Sequence, residues 1–252
     1  MASSPQRAPI AGLEPVKRYD TLADRAYEQL RAALTTGSFF PGQKLTIRKI
    51  AAILGVSATP VRDAISRLLF ERVLECDVNR NVFVPRLDAQ RLRHIYALRI
   101  ALEGLAAEEG ARNFTRADVD HLEQVQLALI AAMDRQDYSR VLVENEKFHF
   151  GIYSACGNPL LVEAIQQLWI KLGPTMNLLY PTYNKTRTGV SHHLKVVAAL
   201  RSGDPAAVRA AIEADLRDGE LALRQAIESA EQEAAAKAAQ KRRRRKAAAA
   251  EG

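Results

Sequence analysis

Four side chains in the second half of the sequence are of types that bind divalent metal ions. Asn145 and His149 are four residues apart, so on a helix both would leave the same face. His193 and Asp215 lie in two later segments, and a helical bundle can bring the inward faces of three helices together. Two imidazoles and two oxygen ligands suit Zn²⁺ or a similar divalent ion, with positions left open for a small anion. The alternative is that each histidine is an ordinary packed or surface residue, which is the more frequent case.

A second group, near the front of the chain, has side chains that suit DNA. Ser57 and Thr59 open a predicted helix, where unsatisfied backbone N–H groups and short hydroxyls match phosphate oxygens. Arg62, one turn into that helix, has the reach for a bidentate pair with a guanine edge, which discriminates by about 1–3 kcal/mol. Arg48 is placed to contact the backbone or a base, and Arg80 a phosphate or a narrow minor groove. The alternative is a small helical domain with ordinary surface arginines.

The elements around these residues predict a helix-turn-helix followed by a wing. Thr21 and Asp24 form a capping box for the first helix, and Gly55 supplies the left-handed residue that ends the second. Asn79 and Asn81 frame a hairpin tip, since Asn tolerates a positive φ. The predicted elements are three helices, near 21–37, 47–54 and 57–73, and two strands, 74–77 and 82–85.

After residue 88 the pattern predicts an all-α bundle of six amphipathic helices. Five residues stand at helix N-cap positions, namely Asp88, Thr115, Asp137, Asn158 and Asp204. Pro159 and Pro205 each follow their cap at the first helical position, where the missing N–H matters little. The predicted helices span about 88–111, 115–135, 137–155, 158–180, 185–202 and 204–228.

The predicted organisation is therefore two domains between two tails. Residues 1–18 form a flexible leader, 19–86 the winged helix-turn-helix domain and 88–228 the helical domain. Residues 229–252 are rich in Ala, Lys and Arg, with six consecutive basic residues at 241–246. Because like charges in a block repel, we expect this tail to be disordered, either solubilising or holding phosphates non-specifically.

Composition and charge exclude several classes of protein. The longest apolar run, 127–133, is far short of the roughly 20 residues that cross a bilayer, and the leader has no apolar segment of a secretory signal. We therefore expect a cytoplasmic protein with no membrane partner. The net charge is +7, of which residues 19–86 contribute +3 and residues 87–227 contribute −1. The basic first domain suggests a polyanion partner, although solvated basic faces are common.

The front of the chain resembles the winged-helix domain of GntR-type bacterial transcription regulators. The resemblance covers about residues 22–86 and lies in the runs PGQKL at 41–45 and LGVSATPVRDAI at 54–65. It implies DNA contacts by five residues, Arg48, Ser57, Thr59, Arg62 and, in the wing, Arg80. Two departures are Ala58, where the family usually has Arg, and Asn79 with Asn81 at a tip where Gly is usual.

The second domain resembles the FCD effector domain of the FadR subfamily, and six helices are more similar to its VanR branch. The matching runs are LRIALEGLA at 98–106, NEKFH at 145–149, GNPLL at 157–161 and HLKVVAAL at 193–200. The resemblance implies a divalent metal in the effector pocket and small organic acids as effectors. Asn145 replaces the usual Asp, His149 and His193 match, and Asp215 falls where a third His is usual.

Arg99 is the predicted partner of an effector carboxylate, because its planar fork matches that group. A salt bridge to Glu103, four residues on, is the equally open alternative.

Together these features predict a homodimeric repressor, not an enzyme, that binds a palindromic operator and responds to a small carboxylate metabolite. One alternative is a metal-dependent hydrolase built on the same four ligands. Another is a non-specific architectural DNA binder that uses the basic tail.

Overall fold

The structure is a computed structural model, and it describes residues 21–180 and 186–248. The predicted leader, 1–18, lies outside the described residues, as do 181–185 and 249–252. No helix in the described ranges is both long and apolar enough to cross a membrane.

The first domain is a winged helix, as the sequence predicts. Its helices are α1 (Leu22–Thr35), α2 (Ile47–Leu54) and α3 (Ala58–Phe70), and its strands are β1 (Lys44–Leu45), β2 (Glu75–Cys76) and β3 (Val82–Phe83). The capping box is present, with Thr21 accepting from the Asp24 amide and the Asp24 carboxylate accepting from the Thr21 amide. Gly55 ends α2 with φ +66°, as expected.

The wing contains one strand more than the sequence predicts. β3 lies between β1 and β2, antiparallel to both, with Phe83 opposite Lys44 on one side and Glu75 on the other. The prediction for the wing tip was also wrong in one detail: the residue with positive φ is Arg80, at +59°, and not one of the flanking asparagines.

The second domain is a bundle of six helices. They are α4 (Ala89–Ala111), α5 (Arg116–Asp134), α6 (Tyr138–Tyr153), α7 (Pro159–Met176), α8 (Thr188–Ser202) and α9 (Pro205–Ala248). All five predicted N-cap side chains accept a backbone hydrogen bond from the first turn of their helix. Single turns of 3₁₀ helix follow α6 and α7, at Ser154–Cys156 and Asn177–Leu179.

The end of the bundle differs from the sequence prediction. A disordered tail was expected from residue 229, whereas α9 continues to Ala248. The alanines of this segment have the highest helix propensity of any residue, which offsets the repulsion within the basic block.

The two domains pack together through α7. Ile170 of α7 is buried within the core of the winged helix. The Asn177 amide donates to the carbonyl oxygens of Gly37 and Phe39 at 2.6 and 3.0 Å, and Lys171 donates to the carbonyl oxygen of Glu71 at 2.5 Å. The opposite face of α7 forms one wall of the bundle core, so this helix contacts both domains.

Candidate nucleic-acid interface and metal centre

The start of α3 presents polar groups to solvent because its apolar residues turn inward. Val61 and Ile65 are buried in the domain core, which leaves Arg62 exposed between them. Ser57 and Thr59 are also exposed, and the Ser57 hydroxyl makes no capping hydrogen bond within the helix. Hydroxyl and amide donors at this helix start are therefore available to an anion.

Arg48, on the first turn of α2, and Arg80, at the wing tip, are exposed as well. Like Arg62, neither forms a salt bridge with any residue that the structure describes. All five predicted DNA contacts therefore lie at the surface, in three different elements of the winged helix. Their role in binding DNA stays a prediction.

The wing tip is held by the Asp77 carboxylate. It accepts from the backbone amides of Asn79 and Asn81, both at 2.9 Å, and from the Asn81 side-chain amide at 2.8 Å. The Asn81 side chain, followed by these backbone amides, holds the pKa of Asp77 below its usual value. This hydrogen-bonded loop fixes the backbone that carries Arg80.

Three of the four predicted metal ligands meet inside the bundle. One ligand atom from each of His149 on α6, His193 on α8 and Asp215 on α9 lies within 4.8 Å of the other two. His149 Nε2 is 3.5 Å from Asp215 Oδ2. The two imidazoles are 2% and 1% exposed and the carboxylate residue 9%, so the cluster is screened from bulk water. Two nitrogens and one oxygen at this spacing are a donor set that fits Zn²⁺ or a similar ion.

Each histidine is oriented by a hydrogen bond at its other nitrogen. His193 Nδ1 lies 2.6 Å from Gln126 Oε1, which can only accept, so the proton is on Nδ1. His149 Nδ1 lies 3.0 Å from the Tyr153 hydroxyl, whose own proton is donated to Glu103 at 2.8 Å. Both Nε2 atoms are therefore left unprotonated, and that of His193 is buried without a partner among the described residues. A metal ligand needs this tautomer, with its second nitrogen held by an outer partner.

Burial sets the charges of the cluster. It lowers the pKa of His193 to about 3 and that of His149 well below its usual value, so both rings are neutral near pH 7, the form that binds metal. Burial also raises the pKa of Asp215 to about 7. A bound cation would favour the ionised carboxylate, since an opposite charge within a few ångströms lowers the pKa of an acid.

Asn145, the fourth predicted ligand, lies one turn before His149 on α6 and is half-buried. It lines the same small cavity as His149, Asp215 and Arg99, with a volume of about 40 Å³. It makes no hydrogen bond to a described residue, so its amide is available to a ligand in that cavity.

Arg99 also faces this cavity, but it already has a partner. Its guanidinium donates to both Glu103 oxygens, at 2.5 and 3.2 Å, and its carbon lies 4.7 Å from the centre of the Trp169 ring. The sequence left open whether Arg99 pairs with an effector carboxylate or with Glu103, and the structure contains the salt bridge to Glu103. A role for Arg99 in effector binding stays a prediction.

Two residues of the site were missed by sequence reasoning, Tyr153 and Gln126. Tyr153 lies four residues after His149, so the helical spacing was a usable signal. Gln126 is the one polar member of the buried face of α5, beside Leu122 and Leu129, and a polar residue in an apolar stripe is a second usable signal.

Comparisons with known proteins agree with both halves of this description. Residues 22–84 match the family described as bacterial regulatory proteins, gntR family, and residues 94–218 match the FCD domain. The chain is 29% identical over 189 residues to the HTH-type transcriptional regulator McbR of Escherichia coli, covering 74% of this chain and 86% of that protein. It is 27% identical over 188 residues to a Paenarthrobacter nicotinovorans protein named "Probable D-xylose utilization operon transcriptional repressor", covering 73% and 81%.

Solved structures give the same result. The E. coli McbR/YncC structure matches with a TM-score of 0.76 at 28% identity, over 81% of this chain and 98% of that one. A GntR regulator from Rhodococcus sp. RHA1 matches with a TM-score of 0.66 at 23% identity, over 80% and 96%, which supports the fold alone. The chain is thus a DNA-binding transcription regulator, and it belongs to the GntR family, in its FadR-like subfamily.

Proposed function

We propose that this regulator is a homodimeric repressor of a palindromic operator, and that a small organic acid, bound beside a divalent metal ion in the bundle, lowers its DNA affinity. Arg48, Ser57, Thr59, Arg62 and Arg80 contact the DNA. His149, His193, Asp215 and Asn145 hold the metal, and Arg99 lies beside the acid. The name of the Paenarthrobacter relative, a repressor, supports the sign of the response.

The metal and effector site in this proposal rests on one observation, namely the burial and the hydrogen bonds of His149 and His193. Both rings are buried, both Nδ1 atoms have hydrogen-bond partners, and both Nε2 atoms remain for a ligand near Asp215. An imidazole nitrogen buried without a partner costs free energy, about 1–3 kcal/mol for a neutral polar group. A metal ion bound at this nitrogen removes that cost.

The volume of the cavity limits the ligand. About 40 Å³ holds a few water-sized groups beside a metal, so a larger acid must displace a wall. Met176, on α7, belongs to that wall and is the most adaptable side chain there. A ligand that moves this end of α7 also moves Asn177 and its two hydrogen bonds to the winged helix. An effector changes DNA affinity if it favours one placement of the two domains in this way.

An apolar face on α4 supports dimerisation. Leu98 and Leu105 are two turns apart on the solvent side of that helix, 53% and 41% exposed. Covering them with a second copy removes apolar surface from water. Sedimentation equilibrium of the wild-type chain should therefore give twice the chain mass.

The DNA half is tested with a duplex selected from random sequence by the full-length protein. Arg62→Ala should lower the preference for that duplex over random DNA by about tenfold or more, because one bidentate base contact is lost. Binding of acids, followed by thermal shift, should not change. Retained preference would remove Arg62 from the residues that read bases.

The pocket half is tested by metal analysis and a thermal-shift screen. Wild-type protein loaded with Zn²⁺ should retain about one ion per chain through gel filtration, and His149→Ala and His193→Ala should not. Acetate, pyruvate and benzoate, with their carboxamides as controls, should raise the melting temperature only with metal present and only as acids. Metal content equal in the wild type and both variants would rule out this site.

A further inference from the structure

The last helix continues beyond the bundle. α9 packs antiparallel to α4: Arg209 donates to Glu108 at 3.1 Å, and a β-carbon at Gly219 would lie 3.4 Å from the Tyr96 hydroxyl. If these two pairs set the register, residue 228 of α9 lies level with Ala89, the first residue of α4. The remaining 20 helical residues, 229–248, therefore continue about 30 Å past the first residue of α4 at 1.5 Å per residue.

This extension leaves the bundle at the end where the winged helix is attached. The start of α4 follows directly from the wing strand β3. Gln225, shortly before the extension, shares a groove with the 3₁₀ turn Asn177–Leu179. Asn177 in that turn donates to the carbonyl oxygens of Gly37 and Phe39 in the winged helix. The chain connection into α4 and the hydrogen bonds of Asn177 thus place the root of the extension near the DNA-binding domain.

The composition of the extension indicates its partner. Residues 229–248 contain no apolar residue larger than alanine, so they offer no seam of large apolar side chains to a second copy. They contain seven Lys or Arg residues and two Glu residues. The six basic residues at 241–246 are consecutive, and at 100° per residue these positions cover the whole circumference of a helix. A helix of this kind fits a dense, extended anion better than an apolar groove.

We propose that residues 229–248 form a basic arm that binds the phosphate backbone of the DNA duplex held by the winged helix. The basic block lies about 20 to 27 Å along the helix beyond residue 228, at the end of the bundle that carries the winged helix. Contacts to phosphates carry no sequence information, so the arm adds affinity and salt dependence and leaves operator choice to the winged helix. This inference requires the DNA-binding activity of the chain, but neither the metal nor the effector.

The test compares two full-length variants that lose the same charge. The arm variant carries Arg242→Gln, Arg243→Gln and Arg244→Gln, which keep helix propensity. The control variant carries Arg112→Gln, Arg116→Gln and Arg201→Gln, at the opposite end of the bundle, near the C-terminus of α4. Fluorescence anisotropy with a labelled 60-bp duplex of random sequence gives the affinity of each protein from 50 to 300 mM NaCl.

The logarithmic slope of affinity against salt should decrease by about 2 to 3 per chain in the arm variant, since each phosphate contact contributes roughly 0.9. The control slope should match that of the wild type. Equal slopes in all three proteins, or the same loss in both variants, would overturn the arm. Loss of dimer mass in the arm variant alone, by sedimentation, would also overturn it, because the partner would then be protein. Failure of the wild type to bind any duplex would instead refute the DNA-binding function itself.

Discussion

The closest backbone approach that we describe between the two domains is at Gly173 of α7, and it gives the sharpest test of how they are joined. A β-carbon at this position would lie 2.2 Å from the carbonyl oxygen of Leu34 and 2.4 Å from that of Thr35. Both atoms belong to the backbone of the last turn of α1, so neither can rotate away. Since a carbon and an oxygen approach to about 3.3 Å, Gly173→Ala must separate α7 from α1 by about 1 Å.

The expected cost follows from two opposing terms. Inserting a methyl group into a closely packed contact costs about 1–3 kcal/mol. Replacing glycine in a helix interior returns about 0.5–1 kcal/mol through backbone entropy. Gly219→Ala, in α9, is the matched control, because a β-carbon there meets its nearest atom, the Tyr96 hydroxyl, at 3.4 Å. The control should gain about 0.5–1 kcal/mol, and Gly173→Ala should be about 1–3 kcal/mol less stable than the control.

The assay is equilibrium urea unfolding followed by circular dichroism, with all proteins in the same chelator so that metal binding does not contribute. Operator affinity is measured in parallel by anisotropy. Gly173→Ala should also weaken operator binding, because the winged helices lose their fixed placement on the bundle. If Gly173→Ala is as stable as Gly219→Ala and binds the operator like the wild type, the domains are not packed at this contact in solution.

Two further substitutions test the outer partners in each domain. Tyr153→Phe removes the acceptor of the His149 Nδ1 proton, so Zn²⁺ affinity should fall about 10- to 100-fold in competition with a chelating dye, whereas Tyr138→Phe, on the same helix, should change nothing. Asp77→Ala should speed hydrogen exchange of the Asn79 and Asn81 amides and weaken DNA binding. Because the pKa of Asp77 is lowered, its carboxylate stays ionised, and keeps these hydrogen bonds, at pH values at which an ordinary Asp begins to be protonated. In wild-type protein that protection should therefore persist near pH 5 and disappear as the pH falls through the lowered pKa.

Local signals account for what the sequence predicted correctly. The capping box at Thr21, the N-cap at Thr115 and the end of α2 at Gly55 each depend on residues within one turn, and all three are present. The six-helix bundle follows from repeated caps and periodicity. The meeting of His149 and His193 was also predictable, since helices in a bundle must turn their inward faces toward each other.

The features that sequence reasoning missed depend on contacts between distant segments. β1 has two residues and exists only by pairing with β3, in which Val82 lies 37 residues after its partner Leu45. The approach of Gly173 to α1 leaves no trace in the sequence around residue 173. For Arg99 the sequence allowed two carboxylate partners, one from an effector and one from Glu103. Glu103 prevails because it is on the same helix and costs no further chain ordering.

The buried charges of the pocket explain why its ligand should be an acid. Arg99 and Glu103 cancel each other, and both histidines are neutral. A divalent ion held by an ionised Asp215 would then leave one net positive charge in a cavity with room for very little water. An uncompensated buried charge is costly, and a single carboxylate from a ligand neutralises it, whereas an amide of the same shape does not. The proposed preference for an acid thus requires only a bound metal and one carboxylate, and Arg99 can stay paired with Glu103.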